Sequence, residues 1–444
     1  MQRRLWDNNG RQEGRHGLIF NSLCVLGLGY IGLPTASTFA NNGLRVYGVD
    51  VDRRVVDVLK NGQIHIHEPG LRTLVRAAFG SGNLSVSDQP QPADAFIIAV
   101  PTPITEDKRA DLGFVREAAK SIVPHLKEGN LVVLESTSPP RTTIDLLAPI
   151  LEQSGLKAGK GFYLAYSPER VLPGKILSEI IENPRVIGGI DRASAEAGRE
   201  LYAAFVRGKI HLTDATTAEM VKLMENTYRD VNIALANEFS QLGEQFGVDI
   251  WRAIELANLH PRVEILRPGP GVGGHCISVD PWFLVEAAQD KTPLIRNARQ
   301  VNDRQPSRVV ASVRSVLGAV KGRKIAALGM SYKADVDDLR ESTAISVVRE
   351  LVSEGAEVSV FEPYVTDLQI EGTTAAGDLK SALAQAQALL LLVDHRQFVN
   401  LDPARAAELM PGRIAFDTRG VWDKASWERA GFKLARLGAG PVDG

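Results

Sequence analysis

Residues 23–32, Leu23-Cys24-Val25-Leu26-Gly27-Leu28-Gly29-Tyr30-Ile31-Gly32, decide the fold of the first part of this 444-residue chain. The apolar run that opens the stretch predicts a buried strand, and it leads directly into G-x-G-x-x-G and a helix-compatible segment. A second predicted strand, residues 45–49, ends in Asp50, about 20 residues after the glycines. Strand, glycine loop, helix, strand and acid in this order predict a dinucleotide-binding βαβ unit.

The residues of this unit have distinct expected roles toward NAD. The glycines permit a tight turn and close approach of the pyrophosphate, which the amides and dipole at the helix N-terminus favour. A carboxylate at Asp50 suits the ribose hydroxyls and repels a 2′-phosphate, which favours NAD, although Arg53 and Arg54 nearby leave NADP as an alternative. The predicted cofactor residues here are Gly27, Gly29, Tyr30, Ile31, Gly32, Asp50 and Arg54.

Three further predicted strands of the same domain end in polar residues. These strands lie at residues 96–100, 131–134 and 163–166, and they are followed by Thr102, Thr137 and Glu169. In open α/β sheets ligands bind beyond the carboxyl ends of the strands, so we expect these three side chains to face one crevice. Taken singly, each could equally be a turn residue or a helix cap.

A long helix is predicted from Thr216, where Thr216-x-x-Glu219 has the form of a capping box. Such a helix can connect two α/β halves and offer a surface for a homodimer. Lys222 and Asn226 lie four residues apart, and therefore on one face. If that face meets a thiol, the cation favours the thiolate and the amide holds an oxyanion; otherwise both are surface residues. The predicted apolar positions of the helix are Val221, Met224, Tyr228, Val231, Leu235, Phe239 and Leu242.

A glycine-rich loop at residues 271–280 is the segment around which the predicted chemistry is organised. Glycine and proline on either side indicate a structured loop, and glycines such as Gly273 let the backbone approach a ligand closely. Cys276 is the candidate nucleophile, with the carboxylate of Asp280 four positions further on. The alternative is a small structural thiol in a tight turn.

The last part of the chain predicts a second parallel α/β domain after a linker helix at 296–317. Strands at residues 324–328, 358–361, 388–393 and 414–416 alternate with helix-compatible spans. Lys333 and Arg419 follow strand ends, where they could bind a nucleotide diphosphate or simply be surface cations. The predicted fold class is α/β, with two Rossmann-like parallel-sheet domains joined by a long central helix and a helical segment. The predicted divisions are 1–20 (disordered extension), 21–212 (NAD-binding domain), 213–318 (central helical domain) and 319–444 (C-terminal Rossmann-like domain).

Composition narrows the classes of partner and compartment. A formal net charge of −2 gives no electrostatic case for nucleic acid or an acidic membrane surface, and no apolar run is long enough to span a bilayer. Two cysteines are typical of a reducing compartment, which predicts a cytoplasmic protein. His65, His67 and Glu68 give only a weak metal signal, and we interpret them as polar loop residues with no metal.

The ordered chain resembles the UDP-glucose/GDP-mannose dehydrogenase family, from the glycine motif to residues 417–422. Besides that motif, the resemblance is carried by S-P-E-R-V-L-P-G at 167–174, E-M-V-K-L-M-E-N at 219–226 and G-G-H-C-I-S-V-D at 273–280. It implies an NAD-dependent four-electron oxidation of the C6 alcohol of a UDP-sugar to the carboxylate, with two NAD⁺ and one water consumed. An alcohol reaches an acid through an aldehyde, and a thiolate converts that aldehyde covalently into a tetrahedral hydride donor.

The resemblance also implies catalytic roles for individual residues. Cys276 would attack the aldehyde, while Lys222 and Asn226 would stabilise the oxyanion. Asp280 would assist base chemistry with a water molecule. The water would be held, or protons transferred, by Thr137 and Glu169.

Further residues are implied to bind the cofactor or the substrate. Arg340 would lie near the cofactor pyrophosphate, and Thr102 and Thr137 would line the cofactor site. The UDP group would be bound by Lys333 and Arg419, and the sugar by the 170–172 backbone and Arg262. The full implied substrate set is Glu169, Arg170, Val171, Leu172, Lys222, Asn226, Arg262, Gly273, Lys333 and Arg419.

The choice of substrate branch and two competing functions stay open at this point. The turn at 171–174, H-P-R-V at 260–263 and V-D-P-W-F at 279–283 most resemble the branch that oxidises UDP-N-acetylhexosamines of the manno configuration, and the gluco branch is the alternative. Pro173 stands where the UDP-glucose branch has a second glutamate. The competing functions are a hydroxyacid dehydrogenase of the 6-phosphogluconate type with a lysine base, and an NAD-binding sensor without catalysis.

Overall fold

The computed structural model describes residues 20–66 and 68–440. The chain divides into two compact units, one comprising the chain up to Glu225 with Trp282–Gln289, the other Asn226–Pro281 with the chain from Asp290 onward. The predicted N-terminal extension lies outside the described residues, apart from Phe20.

The first unit is built on a sheet whose strands begin with the predicted βαβ unit. Its strand order is β3-β2-β1-β4-β5-β6-β7-β8, parallel except that β7 runs antiparallel to β6. Apolar side chains pack against both faces of the sheet, as is usual for parallel strands covered by helices on both sides. The strands are β1 Ser22–Leu26, β2 Arg45–Val49, β3 Leu84–Ser87, β4 Ala95–Ile98, β5 Leu131–Leu134, β6 Tyr163–Tyr166, β7 Arg185–Gly189 and β8 Ile210–Asp214.

The helices of this part of the chain alternate with its strands along the sequence, and the last of them is the long helix. They are α1 Gly32–Asn41, α2 Arg53–Lys60, α3 Leu71–Gly80, α4 Gly113–Ile122, α5 Ala148–Leu151, α6 Ile176–Glu182, α7 Arg192–Tyr202 and α8 Ala215–Phe246, with a π-helical segment at Thr142–Leu147.

The second unit contains a second parallel sheet and most of the later helices, whereas residues 282–289 belong to the first unit. The sheet has the order β11-β10-β9-β12-β13-β14. The helices that follow α8 are α9 Ile250–Ala257, α10 Asp280–Ala287, α11 Pro293–Asp303, α12 Gln305–Leu317, α13 Thr343–Ser353, α14 Leu379–Leu383, α15 Arg396–Val399, α16 Pro403–Leu409 and α17 Lys424–Arg429. The strands are β9 Lys324–Leu328, β10 Glu357–Phe361, β11 Thr373–Ala375, β12 Ala388–Leu391, β13 Ile414–Asp417 and β14 Lys433–Arg436.

Two parallel-sheet α/β domains and a long central helix were predicted, and the structure confirms this fold. Two local predictions were wrong. The predicted linker helix is divided into α11 and α12, and Pro306 stands in the first turn of the second. The capping box does not form as predicted: Asp214 accepts the N–H of Thr217 at 2.9 Å, while Glu219 is buried and bonds elsewhere.

The long helix α8 has an unexpected distribution of polarity. Its predicted apolar positions include Met224, Tyr228, Leu235 and Leu242, whose exposed fractions are 58%, 57%, 42% and 46%. The buried positions include polar side chains: Glu219, Asn226, Thr227, Asp230, Asn237 and Ser240. The apolar periodicity therefore marks an exposed face of the helix, and buried hydrogen bonds hold much of the opposite side.

One such contact is a buried ion pair between α8 and α11. The Arg299 guanidinium donates to Asp230 Oδ1 at 2.5 Å, and the two side chains are 2% and 0% exposed. Asn302 adds a second hydrogen bond to the same oxygen at 2.8 Å. Burial raises the pKa of Asp230 although Arg299 opposes the shift, so the charged carboxylate depends on this partner.

We predict that Asp230→Ala lowers the free energy of unfolding by about 3 kcal/mol, because it leaves the Arg299 guanidinium buried without its main partner. Chemical denaturation followed by circular dichroism measures this loss. Glu255→Ala, which removes an exposed pair with Arg252, is the matched control and should change the stability little. Equal stabilities of the two variants would contradict the assignment.

Candidate functional site

The glycine loop of the first unit has the geometry of a dinucleotide cradle. Gly27 has φ +91°, and a Cβ on Gly32 would lie 1.7 Å from the Gly27 carbonyl oxygen, so both positions need glycine for the turn itself. A Cβ on Gly29 would meet no other heavy atom of the described chain within 4 Å. The backbone at Gly29 is therefore open to a ligand, as the approach of a pyrophosphate requires. Tyr30 and Ile31 follow at the start of α1.

The acid at the end of β2 is held by the backbone of this loop. Asp50 accepts the N–H of Leu28 through Oδ2 and the N–H of Asp52 through Oδ1, both at 2.9 Å. Arg54, which left NADP open, pairs instead with Asp52 at 2.8 Å and is 91% exposed. The carboxylate of Asp50 thus stands fixed beside the loop, where a ribose partner is expected.

The structure brings Thr102 and Thr137 together, as the sheet argument predicts. They follow β4 and β5, neighbouring strands, and the Thr102 hydroxyl donates to the Thr137 carbonyl oxygen at 2.7 Å. The Ser136 hydroxyl joins the same loops by donating to the Val100 carbonyl oxygen at 2.7 Å. Glu219 of α8 fixes the next turn, accepting the N–H of Thr143 at 2.8 Å.

Glu169 lies beyond β6 in a buried ionic group. Its Oε2 accepts a hydrogen bond from Arg185, and its Oε1 accepts the N–H of Arg170 at 2.8 Å. Arg185 also donates to Glu135 at 3.3 Å, and the Tyr202 hydroxyl donates to the same Glu135 oxygen at 2.5 Å. Burial raises the pKa of Glu135 to about 7, with the nearby Glu169 adding to the shift and Arg185 opposing it.

Sequence reasoning missed three members of this group: Glu135, Arg185 and Tyr202. Glu135 stands directly after a predicted strand, so the rule for strand ends was a sufficient signal for it. Arg185 begins β7, which was not predicted. Tyr202 ends α7, where periodicity alone marks a core position.

The turn that follows Glu169 is held by acidic side chains. The Leu172 N–H donates to Glu179 at 2.8 Å, and Glu68 accepts the N–H groups of Gly174 and Ile176 at 2.8 and 2.9 Å. Glu68, considered earlier as part of a weak metal signal, is thus a backbone anchor. His67 lies outside the described residues. No cluster of three metal-ligating side chains occurs among the residues that the structure describes.

Two more predicted substrate residues lie beside this turn. Arg170 donates to Glu225 at 2.6 Å, and its side chain is 22% exposed. Val171 is half-buried. Both belong to the same unit as Lys222, which is half-buried on α8.

The cysteine loop belongs to the second unit and is tightly shaped. The Cys276 carbonyl oxygen accepts the N–H groups of Val279 and Asp280 at 3.0 and 2.8 Å, and the thiol residue is partly exposed. A Cβ on Gly273 would lie 2.6 Å from the Glu341 carbonyl oxygen, and one on Gly274 2.7 Å from the Tyr332 ring. Both glycines are therefore required for the loop to pack against residues 332–343.

Asn226 holds the carboxylate that follows the cysteine. Asp280, the first residue of α10, is 2% exposed, and its Oδ2 accepts a hydrogen bond from the Asn226 amide at 2.5 Å. Asn226 fixes Asp280 in the structure, and its role in stabilising an oxyanion stays a prediction. Lys222 lies one helical turn earlier, hence on the same face of α8.

Arg340 extends the surroundings of the cysteine loop. Its guanidinium pairs with Asp338 at 2.6 Å and lies 3.4 Å from the His275 ring nitrogen. Burial would raise the pKa of Asp338, but hydrogen bonds from Arg340 outweigh burial and lower it. This arrangement places a cation beside His275, the neighbour of Cys276.

The predicted nucleotide residues of the C-terminal domain follow the two strands that flank β12. Lys333 comes after β9 and Arg419 after β13, the two neighbours of β12. Arg419 pairs with Asp394 at 2.9 Å, and its guanidinium lies 2.5 Å from the position of a Cβ on Gly269. Arg262 is exposed in a separate loop, beside His260.

Comparison with known proteins identifies the relatives of this architecture. Profiles of the UDP-glucose/GDP-mannose dehydrogenase family match residues 21–206 (NAD binding domain), 216–304 (central domain) and 326–424 (UDP binding domain). The match to the family's NAD binding domain agrees with the open glycine loop at Gly29, and NAD is the cofactor.

Individual relatives extend over nearly the whole chain. A UDP-N-acetyl-D-mannosamine dehydrogenase of Methanococcus maripaludis is 48% identical over 94% of this chain and 97% of its own. An NDP-N-acetyl-D-galactosaminuronic acid dehydrogenase of Ralstonia solanacearum is 48% identical over 91% and 96%. The solved UDP-D-ManNAc dehydrogenase of Pyrococcus horikoshii superposes with a TM-score of 0.87 at 39% identity, covering 95% of this chain and 100% of that one.

We predict that Gly29→Ala weakens NAD⁺ binding roughly tenfold or more while leaving the fold intact, since the added methyl group stands in the open space needed by the pyrophosphate. Isothermal titration calorimetry with NAD⁺, together with thermal unfolding, measures both effects. Gly80→Ala, another open glycine position at the end of α3, is the matched control and should bind NAD⁺ normally. A stable Gly29→Ala variant with unchanged affinity would refute the cradle.

Proposed function

We propose, since this chain belongs to the UDP-glucose/GDP-mannose dehydrogenase family and is an NAD-dependent enzyme, that it oxidises C6 of UDP-N-acetyl-D-mannosamine to the carboxylate. The observation that carries the proposal is the cysteine loop, in which Cys276 precedes a buried Asp280 fixed by Asn226. The product, UDP-N-acetyl-D-mannosaminuronate, would serve as a precursor for surface polysaccharide.

The overall reaction consumes the alcohol, two NAD⁺ and one water, and yields the carboxylate, two NADH and three protons. Bound NAD⁺ supplies the hydride acceptor for each of the two oxidations. Between them, the Cys276 thiolate adds to the aldehyde carbon and forms a thiohemiacetal. Loss of the second hydride gives a thioester, which water cleaves to the acid and the free thiol.

We assign further residues to supply charge and position in these steps. Lys222 favours the thiolate and stabilises the oxyanion of the thiohemiacetal, as an ammonium group does in a site shielded from water. Asp280 accepts a proton from the attacking water, and Asn226 keeps its carboxylate oriented for that transfer. The glycine at 273 lets the loop backbone approach the sugar.

The residues of the first unit complete the water and sugar sites. Thr137 and Glu169 hold the attacking water or move its proton, and Thr102 orients the Thr137 loop beside the cofactor. The sugar is bound by the 170–172 backbone and by Arg262. The remaining assignments are Arg340 near the cofactor pyrophosphate and Lys333 with Arg419 on the diphosphate of the substrate.

The configuration of the sugar is the least constrained part of the proposal. Relatives at 48% identity include a UDP-N-acetyl-D-mannosamine enzyme and the Ralstonia NDP-N-acetyl-D-galactosaminuronic acid enzyme. The H-P-R-V and V-D-P-W-F segments favour the manno substrate, and UDP-N-acetyl-D-glucosamine is the alternative. A panel of UDP-N-acetylmannosamine, UDP-N-acetylglucosamine, UDP-N-acetylgalactosamine and UDP-glucose, followed by NADH absorbance, selects among them.

We predict two NADH per UDP-sugar for the wild-type protein, and for Cys276→Ala a loss of acid formation of roughly a thousandfold or more, because the covalent hydride donor cannot form. NADH absorbance and mass spectrometry of the sugar product measure this. Cys24→Ala, which changes the buried thiol of β1, should retain turnover and is the matched control.

Other stoichiometries would favour the competing functions. A hydroxyacid dehydrogenase that uses lysine as base would release one NADH per turnover, and its Cys276→Ser variant would stay active. A sensor releases none. Wild-type turnover in Cys276→Ala would therefore overturn the covalent mechanism.

We also propose that the protein is a homodimer formed through α8. The exposed apolar residues Met224, Tyr228, Leu235, Leu242 and Phe246 are spaced by four or seven positions, so they fall within about 20° of one line along the helix. A continuous apolar stripe on a 32-residue helix is typical of a helix-to-helix interface. A second copy presents the same stripe, which makes the contact self-complementary.

Two broader expectations accompany these assignments. We retain the division into an NAD-binding domain (21–212), a central helical domain (213–318) and a C-terminal UDP-binding domain (319–444). A reducing, cytoplasmic location suits the catalytic thiol and the cofactor. No helix that the structure describes combines the length and apolar character needed to cross a bilayer.

We predict that Leu235→Glu converts the dimer to a monomer, because a carboxylate in the centre of an apolar interface loses its hydration without gaining a partner. Sedimentation equilibrium measures the change in mass. Arg229→Glu places the same carboxylate at an exposed position about 120° around α8 and should remain dimeric. A Leu235→Glu variant with the mass of the wild-type dimer would exclude this interface.

A further inference from the structure

Glu169 belongs to a buried cluster of polar side chains. The cluster consists of Glu135, Ser167, Glu169, Arg185 and Tyr202. Arg185 reaches both carboxylates and donates to the Ser167 hydroxyl at 2.9 Å, and its guanidinium lies 4.1 Å from the centre of the Tyr202 ring. The side chains of Arg185, Glu135 and Glu169 are 4%, 0% and 7% exposed. Glu169 is thus held by a guanidinium that also contacts Glu135, Ser167 and the Tyr202 ring.

The cluster has one cation for two carboxyl groups. If both carboxyls were ionised, the buried group would carry a net negative charge, which is costly where no water can solvate it. Glu135 Oε2 has no hydrogen-bond partner among the described residues, whereas both oxygens of Glu169 are bonded. Glu135 is therefore the carboxyl group of the cluster that more readily holds a proton.

We propose that Arg185 and Glu135 are positioning residues for Glu169: Arg185 orients its carboxylate, and the charge on Glu135 decides how strongly that carboxylate attracts a proton. This inference rests on the proposed role of Glu169 in proton transfer. It assigns a function to two buried residues that do not themselves reach the substrate.

The consequence is a step in activity with pH. Burial, the first cause, and the charge of Glu169 raise the pKa of Glu135 to about 7, so Glu135 is neutral below that pH and ionised above it. The other ionisable groups facing Glu135 are Arg185 and Tyr202, and burial raises the pKa of Tyr202 well above its usual value. An ionised Glu135 repels negative charge on Glu169 and makes it a stronger base, so turnover should rise through about pH 7.

The test compares the pH dependence of kcat in the full-length enzyme with that of two variants. Glu135→Gln keeps the side-chain shape but cannot ionise, so the rise through about pH 7 should disappear while KM for the UDP-sugar stays within about twofold. Arg185→Lys keeps the charge but loses the forked geometry, so kcat should fall roughly tenfold with the rise retained. A merely structural role would lower stability without moving the pH profile.

The matched control is Glu219→Gln. Burial also raises the pKa of Glu219 to about 7, but its partners are Thr143 and the Arg141 backbone, and it does not belong to the cluster around Glu169. This variant should keep the rise in turnover. A folded Glu135→Gln enzyme that retains the rise, or a Glu219→Gln enzyme that loses it, would overturn the proposal.

An infrared titration separates this inference from the proposed function. The band of protonated buried carboxyl groups should lose intensity through about pH 7, and Glu135→Gln and Glu219→Gln should each remove part of it. An unchanged band in Glu135→Gln would refute the charge assignment even if the enzyme is active. If the wild type oxidises no UDP-sugar, the proposed function fails, and the infrared result still decides the protonation of Glu135.

Discussion

The buried polar side of α8 is the constraint on which the rest of the structure depends. Polar groups removed from water need hydrogen-bond partners, and four polar side chains of α8 find partners in other segments of the chain. Glu219 fixes the turn at residues 141–143, Asn226 fixes Asp280, and Asp230 fixes Arg299 on α11. Asn237 accepts the N–H of Gly269 at 3.0 Å and so holds the segment leading into the cysteine loop. One helix thereby orients loops that are far apart in sequence.

The opposite side of α8 is apolar and exposed, the reverse of what a helix in a monomeric domain normally shows. The burial of the polar side and the exposure of the apolar side have one cause. Because the inner positions are used for hydrogen bonds to loops, the apolar positions that periodicity predicts as core are left for another surface. In the proposed homodimer, the same helix of a second copy would bury them.

The first loop of each sheet is shaped by the same two features, a glycine with positive φ and an acid that accepts a backbone N–H. In one, Gly27 with φ +91° follows β1, and Asp50 after β2 accepts a loop N–H. In the other, Gly329 with φ +86° follows β9, and Glu362 after β10 accepts the N–H groups of Met330 and Ser331. Glu362 is buried and also lies 3.0 Å from His395, so it is occupied by the protein itself. The second domain therefore retains the loop architecture of the first domain.

The sequence by itself determined the parts of this protein that depend on neighbours along the chain. The glycine motif, the acid of Asp50, the second alternation of strands and helices, and the loop around Cys276 are local patterns whose physics acts within about 30 residues. Only the tertiary structure decided what the faces of α8 meet and which charges converge on Glu169. Periodicity shows that a helix has an apolar side but not whether that side is buried in its own chain. The meeting of Glu135, Glu169, Arg185 and Tyr202 depends on the pairing and direction of β5, β6 and β7, including the reversed β7, and no short stretch of sequence encodes that register.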